Sequence, residues 1–158
     1  FQRAAPREIL FRANRTLIRR AVEGYYCALT YADFDFQAKE VRIAASGLPF
    51  AVHYRAGAKQ AGPIALPGTP LGLFEDSTYD EVVLPLSPGD IFIFYSDGLS
   101  EAWNGREEYG TARLAALVAK NANRSAADLG AVIEKALRTW AKQHLANDDV
   151  TFVIVKVV

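Results

Sequence analysis

Along this chain the spacing of apolar positions changes several times, and each change marks a new element. Pro6 can open a helix, because the N–H it lacks would be unpaired in a first turn anyway. Ile9, Leu10, Ala13, Leu17, Ala21 and Val22 then fall on one helical face, and Gly24 is placed to end it. The run YYCALTYADF (25–34) is rich in aromatic and β-branched residues and predicts a strand. Asp35 to Lys39 make a polar turn, and the alternating EVRIAAS (40–46) returns as a second strand. Gly47 and Pro49 break it, and FAVHYR (50–55) resumes extended structure. AGAKQAG (56–62) reads as a loop, and LPGTPLGLF (66–74) as an irregular apolar one. STYDEVVLPL (77–86) predicts another strand. Pro88 and Gly89 suit the centre of a type II turn, and DIFIFYS (90–96) then runs back antiparallel, completing a meander of five or more strands.

Helical spacing returns in TARLAALVAK (111–120) and again from Ala126 to about His144. Ser125 and Asp128 resemble a capping box for the second of these helices. Leu129, Val132, Ile133, Leu137 and Trp140 give it a buried stripe, and NDDVTFVIVKVV (147–158) closes the chain as a strand. The order is helix, a run of strands, two helices, then a strand. That order suits layered α+β packing.

Composition narrows the function classes. The 158 residues, about half of them apolar, can fill one substantial core. A formal net charge of zero gives a nucleic-acid partner no global electrostatic support. Arg3, Arg7, Arg12, Arg15, Arg19 and Arg20 crowd the first helix and read as its solvated side. Cys27 is the only cysteine, so no internal disulfide forms, which fits a reducing, cytoplasmic setting. Within YYCALTY it reads as a small core residue. No apolar run reaches the ~20 residues that cross a bilayer, and no signal peptide is visible. The chain has no methionine and begins Phe-Gln-Arg, so it is expected to be a processed or trimmed piece.

The candidate chemistry lies at two strand ends. Asp97 follows the strand IFIFYS, and Asp148 and Asp149 precede VTFVIVKVV. If those strands are antiparallel neighbours, the carboxylates converge at one sheet edge. Two such charges ~4 Å apart repel by roughly 1 kcal/mol in water and ~4 at an effective dielectric near 20, so a compensating cation is implied. Oxygen-only ligands point to magnesium or manganese. Taken singly, Asp-Gly and Asn-Asp-Asp are ordinary turn chemistry. His53, alternating with apolar residues, reads as a strand surface or packing residue. His144 suits a helix C-terminus, Glu101 a loop or cap, and Trp103 and Trp140 core or loop anchors.

Several stretches together resemble the metal-dependent Ser/Thr protein phosphatases (PPM, type 2C), in particular their bacterial SpoIIE-like branch. They are APREILFRANRTL, YYCALTYADFDFQAKEVRIAASGLPF, PLGLF, LSPGDIFIFYSDGLSEAWN, EYG and NDDVTFVIVKV, in that order. The resemblance implies an α/β/β/α sandwich of two mostly antiparallel sheets flanked by helices, with residues 1–158 forming one phosphatase domain. By position, Asp97 matches the family's metal aspartate before glycine, here Gly98, and Asp148 matches a second ligand with Asp149 beside it. Two Mn2+ or Mg2+ ions would activate a water for attack on phosphoserine or phosphothreonine. The implied partner is a phosphorylated regulatory protein of the anti-sigma-factor antagonist type, in bacterial stress or developmental signalling. A sensor or receiver domain often precedes such a domain in the same polypeptide.

Two departures stand out. The family's first metal aspartate lies before the first helix, in a segment with its own strand that this chain lacks. Ser46-Gly47-Leu48 also stands where the family has Ala-Gly-His. The fragment alone is therefore expected to be inactive. Two rival readings follow: a catalytically silent binding module of the same fold that regulates a partner, and a plain α+β domain whose acidic residues are turn chemistry.

Overall fold

The computed structural model describes residues 4–20, 25–48, 51–142 and 149–158. In chain order its elements are α1 (Pro6–Arg20), β1 (Leu29–Asp35), β2 (Glu40–Ser46), β3 (Ala51–Arg55), β4 (Gln60–Ile64), β5 (Val82–Pro85), β6 (Ile91–Tyr95), α2 (Asp97–Ser100), α3 (Gly110–Lys120), α4 (Ala126–Ala141) and β7 (Phe152–Lys156). They form two antiparallel sheets, of order β1-β2-β5 and β4-β3-β6-β7, each in its own compact unit. Among the described residues no helix is long and apolar enough to cross a membrane.

In the first unit (1–48 and 66–86), α1 packs on β1 and β2. Leu10 is fully buried and meets Ala44, Leu71 and Tyr79, while Arg7, Arg12, Arg15, Arg19 and Arg20 are exposed, as the helical spacing predicts. Arg3 lies outside the described residues, as do Ala21, Val22 and Gly24. One turn after Leu10 the apolar face carries a polar residue, Asn14, with no exposure. Its amide donates to the Phe74 carbonyl (2.9 Å) and accepts from the Gly72 N–H (2.7 Å). A helix side chain thus satisfies part of the backbone of the irregular 66–74 segment, at Gly72 and Phe74. Gly72 has φ +88°, which a residue with a Cβ adopts only under strain.

Cys27 does not lie in the core. It is exposed, as are Tyr25 and Tyr26; its backbone pairs both ways with Leu71 (2.9 and 2.8 Å), and its thiol donates to the Ala28 carbonyl (3.6 Å). A continuous apolar run carries no period of two, so its sequence does not say which side is covered.

Ser46, at the end of β2, is fully buried, and its hydroxyl has no hydrogen-bond partner among the described residues. Ser46→Ala is expected to leave stability unchanged or raise it by up to about 1 kcal/mol, because only an unpaired polar group is removed. Urea midpoints at constant slope measure this. A loss above about 1 kcal/mol would show that the hydroxyl is satisfied.

In the second unit (49–65 and 87–158), one face of the sheet carries the core. Val52, Ile91, Ile93 and Leu99 meet Leu114 and Val118 of α3 and Leu129, Ile133 and Leu137 of α4. Ser125 caps α4: its hydroxyl accepts from the Asp128 N–H (3.1 Å) and donates to the Asp128 carboxylate (2.7 Å). α4 ends at Ala141, and residues 143–148, His144 among them, lie outside the described residues.

Two sequence expectations are corrected here. AGAKQAG is not wholly loop, since Gln60–Ile64 forms β4 and pairs antiparallel with β3. Gly62 and Pro63 obscure the strand in sequence, yet proline is tolerated because β4 is an edge. The strands also do not form one meander, because β5 pairs with β2 and β6 with β3 and β7. The Pro88-Gly89 turn itself forms, with Gly89 at φ +89° and the Asp90 N–H on the Ser87 carbonyl (3.0 Å). It links two sheets instead of closing a hairpin.

Candidate metal centre

β6 and β7 are antiparallel neighbours, in register from Ile91↔Lys156 to Tyr95↔Phe152. The end of the Asp97 strand therefore meets the start of the strand that follows Asp148 and Asp149. Ser96 fastens this junction. Its N–H donates to the Thr151 carbonyl (2.9 Å), and its hydroxyl accepts from the Thr151 N–H (3.0 Å) and donates to the Asp149 carbonyl (3.1 Å). Nothing local in the sequence marks Ser96, since a serine at a strand end gives no signal of what it will bond.

Asp97 begins the single helical turn α2, so its Asp-Gly is not a hairpin turn. Leu99, fully buried, plugs that turn into the core, and the Glu101 N–H closes on the Asp97 carbonyl (2.8 Å). The Asp97 side chain is exposed and accepts from the N–H of buried Gly98 (3.0 Å). A carboxylate at this strand end thus keeps its hydration, and the cost of burying a charge does not arise. The buried carboxylate lies at the opposite end of β6: Asp90, 3% exposed, just before Ile91.

Asp149 is exposed, and Asp148 lies outside the described residues. The donors in place are carboxylate oxygens at a hydrated edge, which fits a hard divalent cation in kind. They fall short in number: among the described residues no group of three His, Cys, Asp or Glu side chains is placed to hold an ion.

The other candidates have structural roles. His53 is buried and stacks on Phe92 (4.2 Å between centroids), with Nε2 3.4 Å from the Asp90 carboxylate. Burial lowers its pKa, while Asp90 opposes the shift. Glu101 is exposed at the end of α2, and Trp103 is 40% exposed. Trp140 donates from Nε1 to the Ala102 carbonyl (3.0 Å) and meets Tyr109 edge-on (5.7 Å).

Ser96→Ala is expected to cost about 1 kcal/mol and to speed hydrogen exchange at the Thr151 amide, with Ser96→Thr restoring both. Unchanged exchange at Thr151 would show that the hydroxyl does not hold the junction.

The family model for Stage II sporulation protein E (SpoIIE) matches residues 2–158. Among solved structures, the chain is similar to the SiaA-PP2C domain of Pseudomonas aeruginosa, with 17% identity and a TM-score of 0.82, covering 98% of this chain and 60% of that one. It is also similar to the Mn-presoaked phosphatase domain of the cell fate determinant SpoIIE from Bacillus subtilis, with 16% identity, a TM-score of 0.74, and 99% and 75% coverage. A third likeness is to the RsbU and RsbW domains of Rv1364c from Mycobacterium tuberculosis, with 26% identity, a TM-score of 0.73, and 97% and 42% coverage. The chain thus spans 60% of the first of these structures and 42% of the third. No curated protein matches it in sequence. With a family match across nearly every residue and a fold similar to those solved structures, this chain belongs to the SpoIIE family and has the fold of PP2C-type phosphatase domains.

Proposed function

We propose that this chain is the phosphatase domain of a metal-dependent protein-serine/threonine phosphatase, acting on phosphoserine or phosphothreonine of a regulatory protein. The observation that carries the reading is the junction of β6 and β7, which brings Asp97 to the start of the strand preceded by Asp148 and Asp149 in a SpoIIE-family chain. Bound Mn2+ or Mg2+ would supply a water acidic enough to act as hydroxide near neutral pH. The chain's own residues prepare the place for it. Asp97 offers a hydrated carboxylate, with Asp148 the proposed second ligand and Gly98 and Asp149 adjacent. Ser96 fixes the two strand ends, and Leu99 anchors the turn. On this reading no side chain acts as a covalent nucleophile.

The partner class we propose is a phosphorylated anti-sigma-factor antagonist in bacterial signalling. The test is release of phosphate from phosphoserine and phosphothreonine peptides by the longest natural polypeptide carrying this chain. Turnover should require Mn2+ or Mg2+ and stop with a chelator. Binding of the phosphoprotein without turnover would support the silent module instead.

A further inference from the structure

The outer surface of α3 and α4 holds a groove of about 440 Å3 that the proposed phosphatase site does not use. Its floor is apolar. Val132, Ala136 and Trp140 stand at i, i+4 and i+8 along α4, and Leu117 faces them from α3. Eight residues of helix rise about 12 Å, so the stripe matches two to three turns of a helix laid alongside. Trp140 is already fixed by its bond to Ala102, its edge contact with Tyr109 and the Arg113 guanidinium 4.3 Å over its ring. A rigid, half-buried tryptophan in an apolar groove loses little entropy on binding, which is how interface anchors behave.

Charge decides the occupant. Lys135 lines the groove from α4. Arg113 and Lys120 lie one turn before and one turn after Leu117 on α3, on the same side of that helix. Glu107 pairs with Arg113 (2.8 Å), but among the described residues no ion pair engages Lys120 or Lys135. Glu134 sits about 100° further round α4 than Lys135, away from the apolar floor, and Asp128, one turn before Val132, is held by the Ser125 hydroxyl (2.7 Å). An apolar trough with a cationic rim favours an apolar stripe flanked by acids and repels one flanked by bases.

We propose that this groove docks an acidic amphipathic helix of a partner protein, about three turns long, with large apolar residues on one face and Asp or Glu beside them. The inference rests on the groove alone and stands or falls separately from phosphatase activity.

The probe is a 16-residue helical peptide with leucines in an i, i+4, i+8 stripe flanked by glutamates, beside a copy flanked by lysines. Binding to the full chain is followed by NMR shifts and by anisotropy at low salt. The acidic peptide should bind about tenfold or more tightly than the basic one and shift the Trp140 indole and the Leu117 and Val132 methyls. The Lys120→Glu, Lys135→Glu double variant should reverse the preference, with circular dichroism confirming an unchanged fold. Equal binding of both peptides, or shifts mapping elsewhere, would overturn the proposal. So would a preference that survives the double variant. Self-association of the chain abolished by Ala136→Arg would overturn it too, since the occupant would then be a second copy.

Discussion

In the longest natural polypeptide carrying this chain, Asp97→Asn should reduce metal-dependent phosphate release by about a hundredfold or more, since altering even an outer partner of a metal ligand typically costs 10–100-fold. Asparagine keeps the shape and can still accept from the Gly98 N–H, so what is lost is the charge offered to a cation. The side chain is exposed, and its neighbours in α2 are held by backbone bonds and by buried Leu99. Stability should therefore stay within about 0.5 kcal/mol of the parent, which separates a chemical defect from a folding one. Manganese should raise the melting temperature of the parent and do so less in the variant, a readout independent of turnover. Glu101→Gln, at the exposed end of the same turn, should leave turnover unchanged. If Asp97→Asn turns over as fast as the parent, Asp97 is not a ligand and the proposed centre fails.

How much of this could be read in advance depends on which force fixes each feature. The stripe of α4 and its Ser125 cap were legible, because periodicity and capping act within a few residues. The meeting of β6 and β7 was legible only as a condition, because sequence gives strand ends but not partners. The two-sheet split was legible only through the family resemblance, which implies two sheets; the residue pattern alone suggested one meander, because β5 and β6 are joined by a turn that would serve a hairpin equally well. β4 was hidden because an edge strand needs neither an unbroken ladder nor β-branched residues, and Gly62 and Pro63 suit that place. Asn14 and Asp90 were missed for a common reason. Each is a polar residue whose partners are backbone groups of distant or turning segments, and no local pattern announces such bonds. At the candidate centre the position of Asp97 was legible. The Ser96 clamp was not, since it depends on a neighbour more than fifty residues away.

Asp90→Ala should cost about 3 kcal/mol, the largest stability loss predicted for a single polar side chain here. The Asp90 carboxylate accepts from the Ala56 N–H (2.8 Å) and the Ser87 N–H (3.1 Å), and its main chain pairs with Val157 (2.9 Å). Alanine would leave the N–H groups of half-buried Ala56 and exposed Ser87 without this acceptor, at up to about 1–3 kcal/mol each, the Ser87 share being the smaller because water reaches it. Asp90→Asn keeps one oxygen acceptor and should lose less than half as much. The same site sets an acid limit. Burial against Phe92 lowers the His53 pKa, Arg55 adds to that, and Asp90 opposes it. A base whose folded pKa lies below its unfolded value, about 6.5, binds more protons when unfolded. Its contribution to stability is therefore complete above about pH 6.5 and declines as the pH falls below that, by at most about 1.4 kcal/mol per unit. Without Asp90 the imidazole is pushed lower still, so Asp90→Ala should lose stability over a wider acid range than the parent. Urea midpoints at pH 7.5 and 5, with His53→Gln subtracted to isolate this proton, give the comparison. If parent and His53→Gln decline in parallel, His53 is not kept neutral by its surroundings. If Asp90→Ala then declines no further than the parent, the Asp90 carboxylate holds the turn but does not act on the histidine.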